Sequence, residues 1–360
     1  MNSGPTNNET NNSAAFGSGA PLFRPGGTGP LRPGGTGPLR PGGTGPLRPG
    51  GTGPLRGGGT GPLRPGGTGP LRGTGPLGGT LNLGLIGYPL GHSFSPYLHR
   101  AALKAAGLEG DYHLFPVPPL PDGEATLQDL LQQMRAGTLH GLNVTIPHKE
   151  AILSRVDELT QAAVEVGAAN MIYRHGGRLY ADNTDAAGFY LDLKRFLDSV
   201  GGRKVRALVL GAGGSARAVL FVLRKEGWPV TIAARRLEQA RELAGSADPG
   251  QAEAVHLGPV GIGKMDLDEV GLVVNTTPAG MAPRLLENPW PKEIPLPPAA
   301  VIYDLIYNPA QTALVRLARD QGLPAVSGAG MLVEQAALSF ERWTGRKANR
   351  DLMLQALNSL

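Results

Sequence analysis

Lys149 closes the stretch Asn143-Val-Thr-Ile-Pro-His-Lys149. The apolar, β-prone run from Leu142 to Ile146 stops at Pro147, which cannot donate to a sheet ladder. The lysine is therefore expected just past a strand end, at the start of a helix begun by Glu150-Ala-Ile-Leu. Strand ends in open α/β sheets are where ligands bind. Taken alone, one such lysine also reads as a solvated first-turn charge. Asp185 could pair with it, and a buried lysine beside a carboxylate is an acid/base device suited to interconverting a carbonyl and an alcohol. On spacing alone, a helix N-cap accounts for Asp185 equally well. Ser93 and Ser95 flank Phe94 in a loop after an apolar run. Two hydroxyls at that spacing can each donate one bond to a carboxylate. Helix capping is the other reading, because Ser95 directly precedes Pro96. The seven histidines are scattered, and His148 is expected to be solvated beside Lys149. With no cysteine and no acidic-histidine cluster, no metal site is expected.

A second group of residues concerns a cofactor. Gly211-Ala212-Gly213-Gly214-Ser215-Ala216 fits G-x-G-x-x-A and follows the buried run Val205 to Leu210. The first glycine permits a tight turn, the second lets backbone N–H groups approach a pyrophosphate, and the small third residue lets the helix pack closely on the sheet. The helix N-terminus adds positive charge where phosphates lie. The next strand ends in Ala234-Arg235-Arg236, where an acidic residue would hold the ribose hydroxyl of NAD. Two guanidinium groups suit a ribose 2′-phosphate, so NADP(H) is predicted over NAD.

These residues need a scaffold of alternating strands and helices. Strands are predicted at 83–87, 111–117 and 141–146, with helices at 97–107 and 127–134 and a mostly helical stretch at 152–163. A hairpin follows around Gly176-Gly177, then a helix at 186–199. The nucleotide unit comprises strands at 205–210, 230–233, 272–275, 300–303 and 324–326, with helices to 227, at 238–244 and at 312–321. A last long helix is predicted at 331–344. Alternation of this kind implies α/β architecture with a mostly parallel sheet.

Composition separates the first 80 residues from the rest. From Leu22 the unit Leu-Arg-Pro-Gly-Gly-Thr-Gly-Pro recurs every eight residues. So little apolar side chain cannot offset the ordering entropy, and a disordered low-complexity tail is expected over 1–80. Seven of the 34 basic residues and one of the 29 acidic residues lie there, which leaves 27 basic and 28 acidic residues in the remainder. The positive balance thus belongs to the tail, and no nucleic-acid partner is expected for the folded part. No apolar run reaches the ~18 residues of a membrane span, and no secretory leader is expected. The absence of cysteine allows a cytoplasmic setting.

Residues 81–360 resemble the shikimate dehydrogenases. Gly87 to His99 is similar to G-x-P-x-x-H-S-x-S-P-x-x-H, Asn143 to Lys149 to N-V-T-x-P-x-K, Gly167 to Asn170 to G-A-x-N, and Asp182 to Gly188 to D-N-T-D-x-x-G. Gly211 to Arg217 resembles the family's nucleotide loop, and 303–309 and 328–335 its late substrate motifs. The resemblance implies reversible NADPH-dependent reduction of 3-dehydroshikimate to shikimate, a step of aromatic amino-acid biosynthesis. It implies that Ser93 and Ser95 bind the substrate carboxylate. Thr145, Asn170, Asp185, Tyr307 and Gln335 would bind the ring hydroxyls and neighbouring groups. Lys149 would be the acid/base residue with Asp185 as its partner, and Leu305 and Gly328 would meet the cofactor through their backbones. The implied fold is two α/β domains with the site in the cleft. A substrate domain at 81–186 is completed by C-terminal helices at 331–360, and a Rossmann-type NADP-binding domain spans 187–330. Two departures stand out: Ala234-Arg235-Arg236 where the family often has Asn-Arg-Thr, and Thr277 where a serine often follows Asn-x-Thr. A quinate/shikimate dehydrogenase, and a non-catalytic NADP-binding regulator, are the alternatives. The assembly state is left open, with a homodimer as one candidate.

Overall fold

The computed structural model describes residues 79–245 and 252–359. The tail expected over 1–80 lies, apart from its last two residues, outside the described residues.

The first α/β unit contains β1 (Leu81–Gly87), α1 (Ser95–Ala105), β2 (Gly110–Pro116), α2 (Glu124–Ala136), β3 (Gly141–Val144), β4 (Glu158–Leu159), α3 (Gln161–Val166), β5 (Met171–His175) and β6 (Arg178–Asp182). Its sheet runs β2-β1-β3-β5-β6-β4. The pairs of β1 with β2 and β3, and of β4 with β6, are parallel, whereas β5 pairs antiparallel with β3 and β6. Side chains alternate across this sheet, as the strand period of two requires. Leu81, Leu83 and Leu85 enter one core, while Ile86, Leu142 and Val144 enter the other. Asn143 therefore points away from its two apolar neighbours, a placement that matters below.

The chain crosses to the second unit along α4 (Thr184–Val200). There follow β7 (Arg206–Leu210), α5 (Gly214–Lys225), β8 (Val230–Ala234), α6 (Leu237–Gly245), β9 (Ala252–His256), α7 (Pro259–Ile262), β10 (Val270–Asn275), β11 (Val301–Asp304), α8 (Ala313–Asp320) and β12 (Ala325–Ser327). All pairs are parallel in the order β12-β11-β10-β7-β8-β9. The strand order reverses at β7, which creates the switch-point crevice at its carboxyl end. The strands are buried on both faces: Ala207 and Val209 join one core, Leu208 and Leu210 the other.

The chain returns along α9 (Ala329–Thr344) and α10 (Arg350–Asn358). Val333, Phe340, Trp343, Met353 and Leu357 share a core with Leu81, Leu98 and Tyr112. The last helices thus complete the first sheet's core. Trp343 Nε1 donates to the Ile172 carbonyl at 3.0 Å, and its ring lies over Gly141, where an added Cβ would meet ring atoms at 2.4–2.5 Å. Overpacking of this kind typically destabilises by about 1–3 kcal/mol. Gly141→Ala is therefore expected to lower the melting temperature measurably in a thermal scan, and an unchanged Tm would contradict the contact. Among the described residues, no helix is long and apolar enough to cross a membrane.

Three expectations need correction. The third strand ends at Val144, two residues earlier than predicted, and Lys149 lies in a turn. No single helix fills 152–163. One 3₁₀ turn (Ala151–Ser154) is followed by β4, whose Glu158 and Leu159 pair with Tyr180 and Ala181. A new helix then starts where Thr160 accepts a bond from the Ala163 N–H at 3.3 Å. Finally, β9 is absent from the sequence expectation, because this edge strand is only partly buried and mixes Glu253 and His256 with alanines and a valine.

Candidate active site

Lys149 reaches back from the turn after β3 to the first turn of α4. Its Nζ donates to Asp185 Oδ2 at 2.7 Å. The two side chains are 12% and 8% exposed, so the ion pair is largely withdrawn from bulk water. Asp185 does not cap the helix. Asn183 does, accepting from the Ala186 N–H at 3.0 Å. Asp185 is thereby free for the lysine. Asn170 Nδ2 lies 2.8 Å from Asp185 Oδ1, 2.9 Å from Thr184 Oγ1 and 3.3 Å from Gln335 Oε1. The Asn170 oxygen accepts from the Thr184 N–H at 2.7 Å. The carboxylate is thus held from one side by an amide and from the other by the ammonium. A lysine ammonium has three donors. One is on Asp185, and a second approaches Ser215 Oγ at 3.5 Å.

The serine loop joins β1 to α1. Phe94 occupies the N-cap position and makes no side-chain capping bond. Ser95 is the first helical residue, so helix capping does not consume its hydroxyl. Ser93 Oγ accepts from the Ser95 N–H at 3.3 Å. The Phe94 and Tyr307 rings approach to 5.6 Å between centroids, bringing together loops from the two units. Burial raises the Tyr307 phenol above its ordinary value, against the opposing pull of Ser93 and the Phe94 backbone, so Tyr307 is a donor at neutral pH. Thr145 donates its N–H to the Ile86 carbonyl at 2.8 Å. His148, expected to be solvated, is buried instead. Its Nε2 lies 2.8 Å from the Val117 carbonyl, so the ring braces the lysine turn.

Ser93, Ser95, Thr145, Lys149, Asn170, Asp185, Ser215, Leu305, Tyr307, Gly328 and Gln335 line one cavity of about 520 Å³. Another depression, of about 550 Å³, is lined by Arg206, Glu253, His256 and Lys264 near β9 and α7 and holds none of the expected site residues.

The nucleotide turn meets the same cavity at Ser215. Gly211 has φ +111°, and a Cβ there would lie 2.5 Å from Thr276 Oγ1, so both the turn and the close approach need glycine. Gly213 is the N-cap of α5 and has no side-chain capping bond, and nothing lies within 4 Å of where its Cβ would be. That leaves an open face of uncapped N–H groups, as an anion site at a helix N-terminus requires. Ala216 is fully buried against the sheet. Ala234 ends β8, and Arg235 and Arg236 are exposed beyond it. No ion pair among the described residues engages either arginine. Gly211, Ala212, Gly213, Gly214, Ser215 and the arginine pair thus fit a dinucleotide bearing an extra phosphate.

Comparison with known proteins bears on this arrangement. The family model for the shikimate dehydrogenase substrate binding domain matches residues 85–172, and that for the shikimate 5′-dehydrogenase C-terminal domain matches 328–357. The shikimate dehydrogenase (NADP(+)) of Symbiobacterium thermophilum is 42% identical over 287 residues, covering 76% of this chain and 92% of that protein. The chain belongs to the shikimate dehydrogenase family. Among solved structures, the shikimate 5-dehydrogenase of Thermus thermophilus, in complex with NADP(H) and shikimate, superposes with a TM-score of 0.66 at 34% identity, covering 78% of this chain and 99% of that one. The quinate dehydrogenase of Corynebacterium glutamicum, in complex with NAD, superposes with a TM-score of 0.68 at 27% identity, with 78% and 99% covered.

Within this member of the family, sequence reasoning passes over several residues that build the site. Asn143 accepts from the Tyr112 hydroxyl at 2.8 Å and donates to the Asn170 carbonyl and Ser339 Oγ, both at 3.0 Å. It links β2, the residue preceding β5, and α9. His99, whose pKa is pushed down to about 3 by burial, stacks on the Tyr112 ring at 4.2 Å. Thr184 ties α4 to the Gln335 carbonyl at 3.1 Å. A signal for Asn143 exists in the sequence: a buried strand with apolar residues on one face carries an amide on the other. Thr276 donates to the Leu210 carbonyl at 2.7 Å and walls the nucleotide turn, which its place in a polar loop does not disclose.

Proposed function

We propose that this protein catalyses the reversible reduction of 3-dehydroshikimate to shikimate with NADPH. The observation that carries the reading is the Lys149–Asp185 pair at 2.7 Å in a cavity that also contains the two loop serines and the edge of the nucleotide turn. Family membership at 42% identity supports the same reaction.

Bound NADPH supplies the hydride that reduces the C3 ketone. The protein's part is to place the substrate, stabilise the developing oxyanion and deliver one proton. Ser93 and Ser95 donate to the substrate carboxylate, with Tyr307 beside them. Thr145, Asn170 and Gln335 take the ring hydroxyls, which fixes the orientation of the ring. Asp185 holds the Lys149 ammonium by one N–H and leaves the others directed into the cavity. As charge develops on the C3 oxygen, the ammonium stabilises it and transfers a proton, becoming a neutral amine. In the oxidative direction the amine takes that proton back. Asp185 is clamped by the Asn170 amide throughout. Gly211 to Ser215 would receive the pyrophosphate, Arg235 and Arg236 the 2′-phosphate, and Leu305 and Gly328 would contact the cofactor through their backbones. The substrate domain is 81–186 with the C-terminal helices, and the nucleotide domain is 187–330.

The test is shikimate-dependent reduction of NADP⁺, followed by absorbance, on the full chain and on a form lacking residues 1–80. Both forms are expected to turn over shikimate at similar rates and to melt at similar temperatures. Absence of shikimate turnover, or faster turnover of quinate with NAD⁺, would overturn the assignment.

A further inference from the structure

Asp304 is fully buried at the end of β11, and no cationic side chain among the described residues pairs with it. Its Oδ1 accepts from Asn275 Nδ2 at 2.9 Å and from the Ile306 N–H at 3.0 Å, and its Oδ2 accepts from Thr312 Oγ1 at 2.7 Å. Asn275 is equally buried at the end of the neighbouring strand β10. The Asn275 side-chain oxygen accepts from both the N–H and the hydroxyl of Thr277, at 2.9 and 2.7 Å. Its backbone carbonyl accepts from the Leu305 N–H at 3.0 Å. Two adjacent strands therefore end in a locked pair of polar side chains. From that pair hang two loops, 276–277 and 305–307, both of which line the cavity.

We infer that Asp304 is a positioning residue: through Asn275 and the Ile306 N–H it sets the loop that presents Leu305 to the cofactor and Tyr307 to the substrate. The inference rests on the proposed reaction for the identity of the two ligands. A carboxylate suits this task because it accepts all three donors at once and binds each more strongly than a neutral acceptor would.

Charge at this position opposes folding. Burial raises the Asp304 pKa to about 6, and the bonds from Thr312, Ile306 and Asn275 pull it down only in part. No charged side chain contributes among those influences. A folded pKa above the unfolded value means the group favours the fold fully only below the unfolded pKa. That contribution is lost as pH rises through about 6. At neutral pH the ionised side chain is therefore retained for geometry and against stability.

The experiment compares Asp304→Ala and Asp304→Asn with the wild-type chain. Asparagine keeps an oxygen for Asn275 and Ile306 but carries no charge. The readouts are melting temperature, the Kd of shikimate for cofactor-free protein by calorimetry, and KM and kcat at pH 5.5 and 8. Asp304→Ala is expected to raise the shikimate Kd and both KM values about tenfold, with kcat reduced less than threefold. Asp304→Asn is expected to melt no lower than wild type at pH 8 and to recover most of the affinity. Asp304→Ala with constants within twofold of wild type overturns the inference. If that variant does not fold, Asn275→Ala replaces it, removing one Oδ1 donor. A threefold or greater rise in both KM values is then expected, and unchanged values overturn the inference. Active wild-type protein with indifferent variants defeats this inference alone, whereas inactive wild-type protein defeats the reaction assignment as well.

Discussion

Lys149→Ala is expected to lower kcat by at least ~10²-fold, the usual scale for removing a positioned acid or base, while the KM for shikimate stays within about twofold. The two halves of this expectation have separate causes. In the proposed reaction substrate affinity is assigned to Ser93, Ser95, Thr145, Asn170, Tyr307 and Gln335, which the substitution leaves in place. Rate depends on a proton donor at the C3 oxygen, and among the described residues the only ammonium lining the cavity is that of Lys149. The substitution also strands a carboxylate that is 8% exposed. Breaking a buried pair by removing one partner destabilises by about 3–5 kcal/mol, so some loss of folded protein could imitate a loss of rate. The double substitution Lys149→Ala with Asp185→Asn separates the two effects. It removes the stranded charge, so its melting temperature should recover toward wild type while kcat stays low. A single mutant with kcat within tenfold of wild type, measured on folded protein, would take Lys149 out of the chemistry.

The second large effect concerns the cofactor's extra phosphate. Replacing both Arg235 and Arg236 by alanine is expected to raise the KM for NADP⁺ at least tenfold and to change the KM for NAD⁺ little. Both side chains are exposed and unengaged by any ion pair among the described residues, so their removal breaks no such pair. The phosphate contact proposed for them would be charge-assisted and partly bidentate. Because it forms near the surface, added salt should weaken wild-type NADP⁺ binding more than that of the double mutant. A double mutant with an NADP⁺ KM within twofold of wild type would show that the 2′-phosphate is held elsewhere.

Much of the site is legible in the sequence because its chemistry is local there. Gly211 to Ala216 announces its geometry through small side chains, and the structure puts Gly211 where a Cβ would clash with Thr276 and Gly213 at the open N-cap of α5. The Lys149–Asp185 pair is only a possibility in the sequence. Nothing in the spacing of 36 positions fixes a 2.7 Å contact; that requires β3, the 3₁₀ turn and α4 to converge. The capping readings for Ser95 and Asp185 fail for one reason: both residues lie inside their helices, and the N-cap positions fall on Phe94 and Asn183. His148 misleads because a polar residue beside a lysine resembles surface, whereas the Val117 carbonyl gives it a buried partner. Short elements such as β4 escape because two residues carry no period; their pairing is decided by the strand they meet.

The return of α9 and α10 to the first sheet has a consequence for how the chain is made. The core around Leu81, Leu98 and Tyr112 is closed by side chains from Val333 to Leu357, and the bond from Trp343 to Ile172 spans 171 positions. At a synthesis rate of ~5–20 residues per second, the earlier half waits on the order of ten to thirty seconds for its missing wall. The nucleotide unit, contiguous in the chain, needs no such delay. A nascent chain will therefore complete its second half first and present the apolar underside of α1 and β1 to solvent in the meantime. A premature stop just before α9 would release a protein with one finished half and one permanently open face, a substrate for chaperones and proteases rather than a truncated enzyme.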